Sequence, residues 1–204
     1  VEEWGSQAAM CALAWRFTGD GRYLEKAKRM LTVSIAAYGE AFRNRRAVNW
    51  YSTSRILALC AYDWIFEALT QDERRAMIVQ LVQHVEDVQP RKGGPQIVRR
   101  NGGGPKSGFY GVLSLLWYSG VAASGDGFCD DMALRHLEKG YGLCREMLAH
   151  RDGVAGDDGA LASGVAGYSM GAYPWAHFNF FHTMLSAAGV DAASQYPNLS
   201  LFPN

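Results

Sequence analysis

Apolar residues recur along this chain at steps of three and four, and the pattern is broken at short turn signals. From Glu3 to Phe17 the stripe is Ala8, Ala9, Leu13, Ala14 and Phe17, and Thr18-Gly19-Asp20-Gly21 ends it. Leu24, Ala27, Met30, Leu31 and Ile35 then predict a helix over Tyr23 to Tyr38, with lysines and arginines on its other face, so the first two elements make a hairpin. Arg55 to Leu81 predicts a second hairpin. Ile56, Leu57, Leu59, Cys60, Trp64 and Ile65 share one helical face, Leu69 ends the run, and Thr70 with Glu73 has the spacing of a reciprocal cap for a helix from Gln71 to about Val88. Phe109 to Ala123 continues the pattern through Val112, Leu113, Leu115, Leu116 and Val121. Ser124-Gly125-Asp126-Gly127 breaks it, and a partner helix is expected from about Asp131 to His150. An aromatic-rich helix from Trp175 to Ala188 closes the series, stopped by Gly189. Nothing alternates at period two over a useful length. The expectation is an all-α domain of seven or eight helices in successive antiparallel hairpins, a single domain over residues 1–204.

The segments between hairpins differ from the turns within them. Residues 39–49 are basic, with Arg43, Arg45 and Arg46; residues 89–107 form a long Gly/Pro-rich loop. Arg151-Asp152-Gly153 through Asp157-Asp158-Gly159 reads as a turn-rich acidic loop, and residues 190–204 as an extended tail, a strap or the start of a linker. A glycine-rich loop as long as 89–107 inside a compact domain is uncommon and often functional, which makes it a candidate site wall. WRFTGDGRYLEKAKRML and YSGVAASGDGFCDDMALRHLEKGYGLCREML share a plan of apolar helix, Gly-Asp-Gly turn and a helix carrying Leu-Glu-Lys, so one unit is reused.

Composition narrows the function classes. The 204 residues hold 20 Lys plus Arg and 20 Asp plus Glu, so no overall charge draws the chain to nucleic acid or to an anionic membrane. No apolar run approaches the about 18 residues of a membrane span, and the first residues lack a signal-peptide pattern. Val1-Glu2-Glu3-Trp4 leads straight into a helix without a starting methionine, which reads as a fragment or a processed form. Cys11, Cys60, Cys129 and Cys144 lie in helical patterns with no C-x-x-C pair, as expected of small buried side chains. H-E-x-x-H, P-loop and G-x-S-x-G motifs are absent, and no metal site is expected. His177 and His182 are five apart, the wrong spacing for a shared helical face, and are expected in core or surface roles.

AYDWIFEALTQDERR resembles the YDWL-then-LT-x-E-x-R hairpin of the heparinase II/III-like and alginate-lyase-like polysaccharide lyases. That resemblance, from ALAWRFTGDGRYLEKAK to the glycine-tyrosine segment, implies antiparallel helix hairpins forming an incomplete (α/α) toroid. It implies β-elimination of a uronic-acid-containing polysaccharide without a redox cofactor, a periplasmic or secreted location, and a β-sandwich domain in the full-length protein. In the family an Asn-His pair neutralises the uronate carboxylate so that the C5 proton can be removed. Arg99-Arg100-Asn101-Gly102 matches that place, with Asn101 on the asparagine, Gly102 where the histidine is usual, and Arg100 as the alternative source of positive charge. Asn101 before three glycines is equally a turn former. The family's Glu-Gly then tyrosine motif matches GDDGALASGVAGYSMGAY with Ser163-Gly164 in place of Glu-Gly, which implies Tyr168 as the proton-transferring phenol. A phenol of pKa about 10 needs cations beside it, and Arg99, Arg100, Arg55 or Arg43 could supply them. Trp50, Tyr51, Arg55, Tyr110, Tyr173 and Trp175 are the candidate substrate-binding residues, the aromatics by stacking on sugar rings; core packing is the alternative for each. Tyr62 and Asp63 are assigned to the fold, the aspartate with a buried partner. Two further functions stay open: a carbohydrate-binding or scaffold toroid whose catalytic pair has decayed, as Gly102 and Ser163 hint, and an α/α-barrel hydrolase, for which Asp157 and Asp158 offer only one side of a carboxylate pair.

Overall fold

A computed structural model describes residues 4–46, 53–90, 113–155 and 173–199, with side chains in the last stretch from 176 onward. Seven α-helices and no strand occur among them: α1 (Trp4–Thr18), α2 (Gly21–Arg43), α3 (Thr53–Ile65), α4 (Gln71–Asp87), α5 (Leu115–Ala123), α6 (Asp130–Val154) and α7 (Tyr173–Ala188). Helix α1 packs on α2 and α3, α3 on α5, α2 on α4, and α5 on α4 and α6. Helix α7 joins through Trp117, whose Nε1 donates to Thr183 Oγ1 at 2.6 Å and whose ring lies 5.0 Å from that of Phe180.

The local chemistry of the hairpins is that of the sequence. The Thr70 hydroxyl accepts from Glu73 N at 3.2 Å while the Glu73 carboxylate accepts from Thr70 N at 2.8 Å, a complete capping box opening α4. The same carboxylate also takes Lys28 Nζ of α2 at 3.1 Å, so one side chain starts a helix and fixes its neighbour. In the first Gly-Asp-Gly turn Asp20 caps α2 by accepting from Arg22 N at 2.9 Å. Asp126 of the second turn instead accepts the Tyr62 hydroxyl of α3 at 2.5 Å.

Close helix packing explains where burial departs from the sequence expectation. The buried face of α1 is Gly5, Ala8, Ala9 and Ala12, while Phe17 is 83% exposed. Two neighbours press on α1 at once, which selects small residues and leaves the large ring outside. Helices α5 and α6 meet backbone to backbone: a Cβ built on Gly120 would stand 2.6 Å from Leu137 N, and one on Gly140 2.5 Å from Trp117 N. Helix α2 starts earlier and ends later than expected, at Gly21 and Arg43. Helix α6 runs through Asp152-Gly153 to Val154 where a loop was expected, because Arg151 is buried and held there. Gly189, at φ +66°, does stop α7. The tail up to 199 is not extended: it forms two 3-10 turns, Ala193–Gln195 and Pro197–Leu199. It is tied to α6 by Asn198, whose N donates to Asp152 Oδ1 at 2.9 Å and whose Nδ2 donates to Asp152 O at 3.0 Å.

The two ends of the hairpins are unlike. Short turns join α1 to α2, α3 to α4 and α5 to α6, and contacts between Tyr62 and Asp126, Arg16 and Glu67, and Arg74 and Phe66 gather at that end. At the opposite, loop-side end Gly5, Tyr38, Ser54, Arg55 and His84 come together; in the sequence, residues 44–52, 88–114 and 155–172 separate α2 from α3, α4 from α5 and α6 from α7.

Candidate functional site

The candidates divide by where they fall. Arg100, Asn101, Tyr110, Tyr168, Trp50 and Tyr51 lie outside the described residues, as do Arg99, Gly102, Asp157, Asp158 and Ser163. Tyr173 and Trp175 fall in the first turn of α7, their side chains outside the described set. Arg43 is the exposed last residue of α2.

Arg55 is the candidate whose surroundings are visible, and it is 2% exposed. It sits in the first turn of α3, donates Nε to His84 Nε2 of α4 at 2.9 Å, and holds its guanidinium 4.5 Å from the Tyr38 ring centre of α2. Tyr38 in turn stacks on His84, 5.4 Å between ring centres, and its hydroxyl shares a 2.7 Å hydrogen bond with Ser54. Three helices are thereby joined at the loop-side end by one polar cluster. A guanidinium carries only donors, so His84 must accept at Nε2 and carry its proton on Nδ1. Burial first, and then the Arg55 charge, push the His84 imidazole down to about 3.

The arrangement occurs twice. Arg151, at the loop-side end of α6, donates through a guanidinium nitrogen to His177 Nε2 in α7 at 2.5 Å, and the two residues are 4% and 1% exposed. Burial and the Arg151 charge push His177 down to about 3 as well. His177 is therefore a core histidine, whereas His182 is exposed. Neither His84 nor Arg151 stood out in the sequence. The available signal was a histidine flanked by Val82 and Val85 on the apolar face of α4.

A third histidine has the connectivity of a hydrolase triad without its access. Ser119 Oγ of α5 lies 3.0 Å from His136 Nδ1 of α6, and His136 Nε2 lies 3.1 Å from Glu86 Oε2 of α4. Ser119 is 0% exposed and sits within a helix, so no substrate carbonyl can reach its hydroxyl. The array ties α4, α5 and α6 together. Burial lowers the His136 pKa, against the pull of Glu86.

Tyr62 does serve the fold, but its partner is Asp126; Asp63 is exposed and needs no buried partner. Cys144 is buried, the other three cysteines are half-buried, and all four are free. Burial pushes the Cys60 thiol up to about 12. Among the described residues no cluster of His, Cys, Asp and Glu could hold a metal ion, and no helix is long and apolar enough to cross a membrane. An open groove of about 360 Å³ between α2 and α4 contains the Lys28–Glu73 pair, away from the loop-side cluster.

No family model, no curated protein and no solved structure matches the chain.

Proposed function

We propose that this chain is the helical part of a lyase that cleaves an acidic, uronic-acid-containing polysaccharide by β-elimination. The observation that carries the reading is topological. Trp50 and Tyr51, Arg100, Asn101 and Tyr110, and Tyr168 belong to three connections that all leave the loop-side end, while Arg55, Tyr173 and Trp175 occupy first turns of helices that begin there. In this reading the hairpins form part of an (α/α) toroid, the connections line its trough, and a β-sandwich domain of the full-length, periplasmic or secreted protein covers it. Asn101 and Arg100 offset the charge of the uronate carboxylate and so acidify the C5 proton. Tyr168 takes that proton or returns one to the leaving glycosidic oxygen as the C4–O bond breaks and the C4=C5 double bond forms. Arg55, enclosed as it is, contributes its charge and the fixed position of the α3 start.

A second reading, a non-catalytic carbohydrate-binding or scaffold toroid, is favoured by Gly102 and Ser163, which replace the residues usual in the family motifs. Incubation with alginate, a heparin-like polymer and pectate, monitored by the ultraviolet absorbance of an unsaturated uronate, separates the two. The lyase reading expects absorbance from at least one polymer and its loss in Tyr168→Phe with affinity for the polymer retained. Binding without absorbance supports the scaffold, and neither binding nor absorbance removes both readings.

A further inference from the structure

We propose that the Arg55–His84 and Arg151–His177 hydrogen bonds are acid-released latches that hold the loop-side ends of α3 against α4 and of α6 against α7. In both pairs a guanidinium that can only donate meets an imidazole nitrogen that must therefore be bare. Protonating that nitrogen replaces an acceptor with a second donor and sets two cations in contact inside a water-excluded interface, so the proton and the closed latch exclude each other.

The groups facing each imidazole decide what acid does. Among the described residues, His84 faces Arg55 from α3 and Tyr38 from α2, and His177 faces Arg151 from α6; no carboxylate is set against either ring. His136 differs. Its Nε2 faces Glu86 and its Nδ1 faces a hydroxyl that can donate or accept, so a protonated His136 keeps both hydrogen bonds. Protonation therefore breaks the hydrogen bond at the first two junctions and leaves both bonds of the third in place.

The direction and range follow from linkage. With the latch closed, each imidazole is held down to about 3, whereas with the latch open it titrates near its ordinary 6.5. The closed state is at full strength above pH 6.5, weakens as pH falls from there, and levels off below about 3. Between those limits the open population of each latch rises about tenfold per pH unit, one proton being taken up on opening. Acid thus loosens the end from which the connections 44–52, 88–114 and 155–172 depart.

Native-state amide hydrogen exchange between pH 6.5 and 4, corrected for the intrinsic pH dependence of exchange, tests the proposal on the intact protein. Protection around 54–58, 82–86, 148–152 and 177–181 is expected to fall about tenfold per pH unit, with protection around 59–65 and 73–78 unchanged. His84→Gln keeps an acceptor that cannot titrate. It is expected to abolish the pH dependence at the α3–α4 junction and to leave that at α6–α7, and His177→Gln the reverse. Imidazole ¹⁵N shifts of the unmodified protein at pH 7 provide a measurement independent of the variants, with the Nδ1-protonated tautomer expected for both residues. Nε2-protonated rings, pH-independent protection, or equal loss at both ends would each overturn the proposal.

Discussion

Replacing Gly140 with alanine tests how closely α5 and α6 approach. The added Cβ would stand 2.5 Å from Trp117 N, 2.7 Å from Trp117 Cα and 2.9 Å from Leu116 C, all backbone atoms of a packed helix that cannot swing aside. Overpacking of a rigid interior costs about 1–3 kcal/mol, and a clash with main chain belongs at the upper end. Alanine also returns about 1 kcal/mol of helix propensity, so the net loss is about 2 kcal/mol. In a chain of this length that corresponds to a fall of roughly 4–8 °C in Tm. Gly142, two residues along the same helix, is the internal control: a Cβ there meets nothing within 4 Å. Gly142→Ala is expected to gain up to about 1 kcal/mol from propensity alone. Urea unfolding of the two variants beside the unmodified protein reads both numbers. A stabilised Gly140→Ala, or the same change in both variants, would show that the helices stand further apart than the packing argument requires.

Tyr62→Phe removes the hydroxyl that joins α3 to the α5–α6 turn and leaves Asp126 without its donor, at an expected cost of about 1–3 kcal/mol. Adding Asp126→Asn should recover part of that loss, and strictly additive losses in urea unfolding would contradict a direct bond. Ser119 is expected to resist a fluorophosphonate probe at pH 7 while the protein is folded. Mass-spectrometric detection of the Ser119 adduct would show that the Ser119–His136–Glu86 array is reachable after all.

Legibility in the sequence followed the range of the interaction. Thr70 and Glu73 are three residues apart, so the capping box could be read directly, and the stop at Gly189 is equally local. The helices and their hairpin order follow from periodicity, which each segment carries by itself. Which arc of α1 faces inward does not, because Phe17 and Ala12 are both apolar and only the nearness of α2 and α3 excludes the larger one. The Arg55–His84 and Arg151–His177 pairs span 29 and 26 positions, and a lone arginine beside Asp-Gly reads as a loop until its partner helix is in place. Of the candidate site, most residues lie outside the described set, and Arg55 is shown buried against His84 and Tyr38.

That division of the molecule bears on how such a protein can change. Doubling the length of a surface connection costs only about 0.6 kcal/mol of closure entropy, less than a typical hydrogen bond contributes. Segments grafted between α2 and α3, α4 and α5, or α6 and α7 would leave untouched the capping box and the Tyr62–Asp126 tie at the far end. Length can therefore be added at one end of this architecture without renegotiating the other.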